Sequence, residues 1–443
     1  MYVSAFELYR IGPGPSSSST VGPQRAALRF VHDLADDGIL PMTTRIEAEL
    51  YGGLAFNGRE HGSDKAVVAG LSGVIPERCD SAALALCLSR IETEHWLLLG
   101  GRHRIRFEPA QDVRLVVNRS LAFDGNAVRF LARNPRGELL ASRVYFSTGN
   151  GAVLAEEDVG SAPRMPRIPY PYATADELLA ACRTHAKRIP DLVRANEGAM
   201  YSPGEVRTGL LLVAQSMCSA IGRGLTTEGM LPGGTRRTAP SWADALRATE
   251  ATPQQQCSVY ATAMAEENAA GGRVVAAPSS GAAGPVAALL QHWRDSGPLQ
   301  QDDRAIDFLL AGAAVGGLLR CAGVKQVGCQ GEVGVAAAMA AAGYATVLGG
   351  SNAQVLHAAE RALEPHLGLA CDPAGGRIED PCIERNAMAA ACAYDAAVAA
   401  VRAPVSRVGL DMLARSVVES GRTMTTRPKS TSIGGLAVNV VEC

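Results

Sequence analysis

The chain has 443 residues, enough for two or three domains at roughly 150 residues each. Its 42 basic and 44 acidic residues nearly cancel, which argues against a strongly charged surface for nucleic acid or an anionic membrane. Hydrophobic residues make up 47% and aromatics only 5%, so the core must use small and aliphatic side chains, favouring closely packed helices over a large β-sandwich.

The opening stretch "MYVSAFELYRIGPGPSSSST" has no basic region followed by an apolar run, so no signal peptide is expected and the setting reads as cytoplasmic. Residues 24–38, 64–73 and 80–92 carry apolar residues at helical spacing. From residue 102 the pattern changes. "HRIRFEP", "VRLVVN" and "AVRFLARNPRGELLASRVYFSTG" alternate apolar and polar residues, and "NPRG" marks a hairpin turn. Residues 1–160 therefore read as an α+β domain with an antiparallel sheet. Four prolines in residues 161–172 mark a linker. Residues 173–443 read as all-helical, with 175–189, 204–224, 257–270, 305–320 and 383–402 helical in period and propensity. Between Val333 and Leu356 the chain carries no charge, but its apolar content is mostly Ala and Gly. That composition predicts a buried helix and the turn after it, not a membrane span.

There is no phosphate-cradling Walker loop, dinucleotide fingerprint, HExxH or close-set CxxC. The eleven cysteines are an odd number without an export signal or a compact framework, which argues against disulfides. Most read as buried small hydrophobes. Three stand apart. Cys329 in "VGCQGEVG", Cys371 in "LACDPAGG" and Cys382 in "EDPCIERN" each lie beside Gly or Pro, at a helix edge. Such a context suits a ligand turn, where backbone approaches something bulky. Soft thiolates select zinc or iron–sulfur. Separations of 42 and 11 residues fit neither a zinc finger nor a ferredoxin run. On spacing alone, ordinary buried thiols remain the competing reading.

The segments "IGPGPSSSSTVGP", "GREHGSDKA", "EENAAGGRVVAAPSSGAAG", "GCQGEVGVAAAMAAAG", "CDPAGGRIEDPCIERNA" and "GGLAVNVVEC" together resemble the bacterial iron–sulfur L-serine dehydratase (L-serine ammonia-lyase) family, in its single-chain arrangement of β domain then α domain. The resemblance implies that Cys329, Cys371 and Cys382 hold three irons of a [4Fe–4S] cluster in the helical domain. It implies that the terminal Cys443 is a displaceable ligand of the fourth. It implies His61 as the base that removes the Cα proton, with Asp64 placed to orient it. Ser16, Ser17, Ser18, Ser19, Thr20, Asn126 and Lys429 are implied as substrate-binding positions. The substrate is an amino acid, no pyridoxal phosphate is needed, and a homodimer is implied.

The chain departs from the family in its substrate motifs. Ser19 stands where the family usually has His. Asp124 and Gly125 replace His and Pro ahead of Asn126. Ser280 replaces Asn, and Pro428 and Ser430 flank Lys429 in place of Tyr and Glu. The primary reading is a retained elimination centre with a rebuilt pocket, acting on an L-serine-like β-hydroxy or β-substituted amino acid. Two alternatives stand beside it: an ordinary L-serine dehydratase, and a non-catalytic iron–sulfur sensor or binding protein.

Overall fold

In the computed structural model the described residues run from 2 to 424, without 80, 118, 120, 122, 124, 162–165, 298–301, 325–326 and 404–407. They form two compact units. One comprises the described residues of Ile11–Arg164 with Gly271–Arg273. The other comprises those of Met1–Arg10, Met165–Ala270 and Val274–Cys443.

The first unit is built on helix α1 (Val21–Asp36) and a five-stranded sheet. Ala26, Ala27, Phe30, Val31 and Leu34 recur at helical spacing and are all buried. Strand β1 (Arg45–Tyr51) is an inner strand; a hairpin of β2 (Trp96–Leu99) and β3 (His103–Arg106) lies outside the sheet; β4 (Val113–Val116), β5 (Ala127–Arg133), β6 (Leu139–Gly149) and β7 (Ala152–Ala155) complete it in the order β4-β1-β5-β6-β7. Phe30 stacks on Phe130 of β5, with ring centroids 4.9 Å apart. The expected hairpin turn closes β5 onto β6: the Gly137 N–H donates to Asn134 O at 2.9 Å, and Asn134 Oδ1 accepts from Arg136 and Glu138 N–H.

The sheet differs from the sequence expectation in one respect: it is mixed, because β1 and β4 pair in parallel. A parallel pair needs a long crossover. Here the crossover carries helices α2 (Ser63–Leu71) and α3 (Ser81–Glu94) together with the β2–β3 hairpin. Strand β1 itself carries no strand reading in the sequence. Its "RIEAELY" is rich in helix formers, yet Ile46, Ala48 and Leu50 are fully buried, so tertiary packing overrides propensity.

The second unit is almost entirely helical. The helical pattern over 175–189 is realised as α4 (Ala175–Thr184), which ends before the pattern does, and α5 (Ile189–Glu197) follows. Ala186 between them has φ of 49°, and Pro190 opens the second, where a missing N–H costs no bond. Helices α6 (Pro203–Gly224), α7 (Ala239–Arg247), α8 (Pro253–Ala269), α9 (Gly284–Ser296), α10 (Asp302–Cys321), α11 (Val333–Val347), α12 (Asn352–Leu363), α13 (Cys382–Arg402) and α14 (Leu410–Thr423) follow. Ser202, Thr252 and Ser351 cap α6, α8 and α12 with reciprocal bonds from Glu205, Gln255 and Gln354. The charge-free stretch is α11, buried on nearly every side, with Gly343 letting its backbone approach Phe308. Among the described residues no helix is long and apolar enough to cross a membrane.

The start of the chain is tied into this unit by Glu197. Its carboxylate accepts from Tyr2 Oη and Ser4 Oγ at 2.7 Å and from Ala5 N–H at 2.9 Å. Removing it in Glu197→Ala leaves three donors unpaired and is expected to cost about 2–4 kcal/mol in chemical denaturation. Burial raises this carboxyl's pKa above the ordinary value, although the three donors oppose the shift. The folded state therefore holds the proton to higher pH than the unfolded chain. The proton-linked stability is present below the ordinary carboxylate pKa and is lost as pH rises through the raised one. Wild type should lose stability relative to Glu197→Gln across that interval; parallel pH profiles for the two would refute the assignment.

Candidate active site

In the first unit, His61 lies in the turn that starts α2. The His61 N–H donates to Asn57 O at 2.9 Å, and the Ser63 N–H to Gly58 O at 2.7 Å. Gly62 supplies a left-handed residue, φ 69°, which lets the chain turn into the helix. His61 is half-buried, and its Nδ1 lies 3.2 Å from Ser19 Oγ. Asp64 occupies the first turn of α2, where its Oδ1 accepts from Lys65 N–H at 2.8 Å and burial raises its pKa.

The serine run forms a tight turn running into α1. Ser19 and Thr20 N–H both donate to Ser16 O at 2.8 Å. Thr20 Oγ1 donates to Pro13 O at 2.7 Å, and Ser17 Oγ to Asn150 Oδ1 at 3.3 Å, so these hydroxyls hold the loop itself. Ser16 Oγ and Ser18 Oγ lie 3.1 Å apart and are half-buried. Asn126 lies at the start of β5, its carbonyl accepting from Ser147 N–H at 2.8 Å. Ser280 is buried in a short turn ahead of α9. Asp124, Pro428, Lys429, Ser430 and Cys443 lie outside the described residues.

In the second unit, three segments bring Cys329, Cys371 and Cys382 together. Cys329 opens a 3-10 turn, Cys329–Gly331, ahead of α11. Gly328, at φ 76°, packs so close to the next segment that a Cβ there would sit 2.6 Å from Leu369 O. The buried Gln330 stitches the same two segments, donating its N–H to Leu369 O and accepting from Gly368 N–H at 2.9 Å. Cys382 is the first residue of α13. That helix end is pinned by buried Asn386, whose Nδ2 donates to Cys382 O at 2.7 Å and Gly281 O at 2.8 Å, while its Oδ1 accepts from Gly284 N–H.

The Cys329 and Cys371 thiols share a hydrogen bond, and Cys382 lies within electrostatic reach of both. The shared bond draws the Cys329 pKa down, aided by the Arg385 guanidinium, and pushes Cys371 up; burial pushes Cys382 up. Glu332, the residue just before α11, accepts from Ser279 Oγ at 3.1 Å, and close packing of protein around it raises its pKa even though part of its surface meets water. Among the described residues no group of three or more His, Cys, Asp or Glu closes round a single metal ion. Three soft thiols from three segments, beside one guanidinium, are a donor set that fits a sulfur-ligated iron cluster. The other described cysteines form no disulfide: Cys79, Cys182 and Cys257 are buried, Cys87, Cys218 and Cys392 half-buried, and Cys321 is exposed at the end of α10.

Reading by motif did not find Arg385, Gln330 or Asn386. Each carries two or three bonds that hold the thiol segments, and their residue types alone do not mark them, although all three lie in the motifs that carry the resemblance. The Ser19–His61 contact was also not foreseen, although both residues lie in the motifs that carry the resemblance.

The second unit thus gathers three thiols, and the first holds a histidine in the turn before α2. Comparison with known proteins narrows the class. The family described as "Serine dehydratase beta chain" matches residues 4–158, and "Serine dehydratase alpha chain" matches residues 183–437. Over 100% of both chains the sequence is 41% identical to a protein of Streptomyces coelicolor named L-serine dehydratase. It is 40% identical, again over 100% of both, to the one named so in Mycobacterium bovis. It is 39% identical, over 99% of both, to L-serine dehydratase 1 of Escherichia coli. The chain belongs to the serine dehydratase family, with both family domains in one polypeptide, and is a carbon–oxygen lyase of amino-acid metabolism.

Proposed function

We propose that the protein is an iron–sulfur L-serine dehydratase that converts L-serine to pyruvate and ammonium. The observation that carries this reading is the convergence of Cys329, Cys371 and Cys382 under Arg385, in a chain related over its whole length to proteins of that name. Those three thiols, with Cys443, would hold a [4Fe–4S] cluster. When bound, its exchangeable iron supplies Lewis acidity toward the β-hydroxyl, a poor leaving group unaided.

The chain's own residues do the rest. His61 takes the Cα proton, a task suited to imidazole near neutral pH. The Ser19 hydroxyl against Nδ1 sets the ring's orientation. Asp64, three residues on in the first turn of α2, serves to orient the ring. Ser16–Thr20, at the N-terminus of α1, and Lys429 receive the substrate carboxylate, and Asn126 adds a neutral polar contact. Loss of the Cα proton and of hydroxide leaves an enamine, which tautomerises to an imine and hydrolyses in water to pyruvate and ammonium.

The departures at Ser19, Asp124, Ser280 and Ser430 favour a changed substrate less than they do on sequence alone. Ser19 touches the base, so this change acts on proton transfer rather than on the choice of side chain. Full-length identity to proteins named L-serine dehydratase also favours L-serine.

The test is anaerobic reconstitution with iron and sulfide, then release of ammonium and 2-oxo acid from L-serine, L-threonine and β-substituted amino acids. L-Serine should be the best substrate. Much faster turnover of another amino acid would restore the rebuilt-pocket reading. A loaded cluster with no release from any compound would make the protein a non-catalytic iron–sulfur protein.

A further inference from the structure

One side chain touches all three thiol-bearing segments. Arg385, in the first turn of α13 and three residues after Cys382, places Nη1 3.1 Å from Cys329 Sγ and 2.9 Å from Ala370 O. Its Nη2 lies 3.0 Å from Asp372 Oδ1. Ala370 and Asp372 flank Cys371, so one planar cation joins the Cys329 turn, the Cys371 segment and the Cys382 helix. Both members of the Arg385–Asp372 pair are largely removed from water, with side-chain exposures of 19% and 11%. The guanidinium is held on two sides by oxygen acceptors, so its third contact is aimed at sulfur and cannot swing away.

We propose that Arg385 is a positioning residue for the cluster: it assembles the three ligand segments before metal arrives and then donates a charged hydrogen bond to the Cys329 thiolate, holding iron in place and raising the reduction potential of the centre. The inference rests on the cluster reading above. An arginine is required because only a fork of N–H groups serves a sulfur, a carbonyl and a carboxylate at once; lysine carries the charge on a single point. A cationic donor to a ligand thiolate stabilises negative charge on the cluster, which favours the reduced form. Partners of this kind ordinarily govern metal affinity by about 10–100-fold.

The experiment compares full-length wild type, Arg385→Gln, Arg385→Lys and Asp372→Asn after anaerobic reconstitution. It reads iron and sulfide content, the visible and paramagnetic resonance spectra, the rate of iron loss to a chelator, and the reduction potential. Far-ultraviolet dichroism and thermal melts of the apo chains report folding.

Arg385→Gln should lose iron about 10–100-fold faster and show a lower potential and an altered spectrum. Arg385→Lys should recover part of the potential but little of the retention. Asp372→Asn keeps the guanidinium and frees one arm; it should shift the same readouts in the same direction by less, and it decides the question if Arg385→Gln fails to fold. An ion pair that serves the fold alone would lower the apo melting temperature in both families of variant and leave potential and spectrum at wild-type values, which overturns the proposal. Wild type that takes up no cluster would overturn the cluster reading itself, an outcome distinct from a loaded wild type matched by its variants.

Discussion

Cys371→Ala should retain its fold, lose most of its iron and release ammonium from L-serine at least ~1,000-fold more slowly than wild type. On the proposed ligand set, two thiols cannot replace three at a centre whose remaining position would stay open to substrate. The elimination then loses the Lewis acid on which hydroxide departure depends, and several kcal/mol of barrier lowering goes with it. The fold cost is small by comparison. Truncating a half-buried side chain of this size removes about 1 kcal/mol or less, and the segment is still tied down by Gln330 to Leu369 and by Arg385 to Ala370 and Asp372. Cys392→Ala is the matched control. That thiol is half-buried within α13, ten residues and so about 15 Å along the helix from Cys382, so iron content and turnover should stay at wild-type levels. Iron analysis, absorbance and an ammonium assay on the same preparations settle it. Full iron and full activity in Cys371→Ala would remove Cys371 from the ligand set.

The second large effect is expected at His61. His61→Ala should lower kcat by about 100–10,000-fold, the usual contribution of a positioned base, while iron content and spectrum remain those of wild type. The dissociation of the two readouts separates a base from a structural histidine. Exchange of the substrate Cα proton with deuterated water should vanish in parallel with turnover. Ser19→Ala removes one hydrogen bond to the ring, worth about 1 kcal/mol, and should slow turnover by about five- to tenfold without a change in iron. Ser19→His places the family's usual residue beside the base; activity equal to or above wild type would place the departure in proton transfer. A His61→Ala enzyme at full activity would move the base elsewhere in the chain.

Much of this molecule is legible without coordinates, and the reasons are local. The hairpin around "NPRG" is readable because Asn134 and Gly137 are turn residues with alternation on both sides. Helix α11 is readable because a long run of Ala with no charge has helical propensity and nowhere to go but the interior. The three cysteines stand out because Gly and Pro beside them break the helices that would otherwise bury them. The break at Ala186 and the start at Pro190 were also written locally, but the apolar pattern ran across them and masked the join.

Other features have no local signature. Strand β1 reads as helix by composition and becomes a strand because β4 and β5 bracket it. The parallel pairing of β1 with β4 depends on how the intervening helices cross over, which no short window contains. Arg385 looks like any charged residue in the first turn of a helix until Ala370, Asp372 and Cys329 arrive from segments 13 to 56 residues away. The sequence by itself determined the helical and mixed halves of the chain, the family and the candidate thiols, because propensity, turn chemistry and motif spacing act over a few residues. Tertiary structure alone decided the mixed sheet, the Ser19–His61 contact and the guanidinium that joins the three thiol segments, because hydrogen bonds between distant segments exist only after the chain has closed on itself.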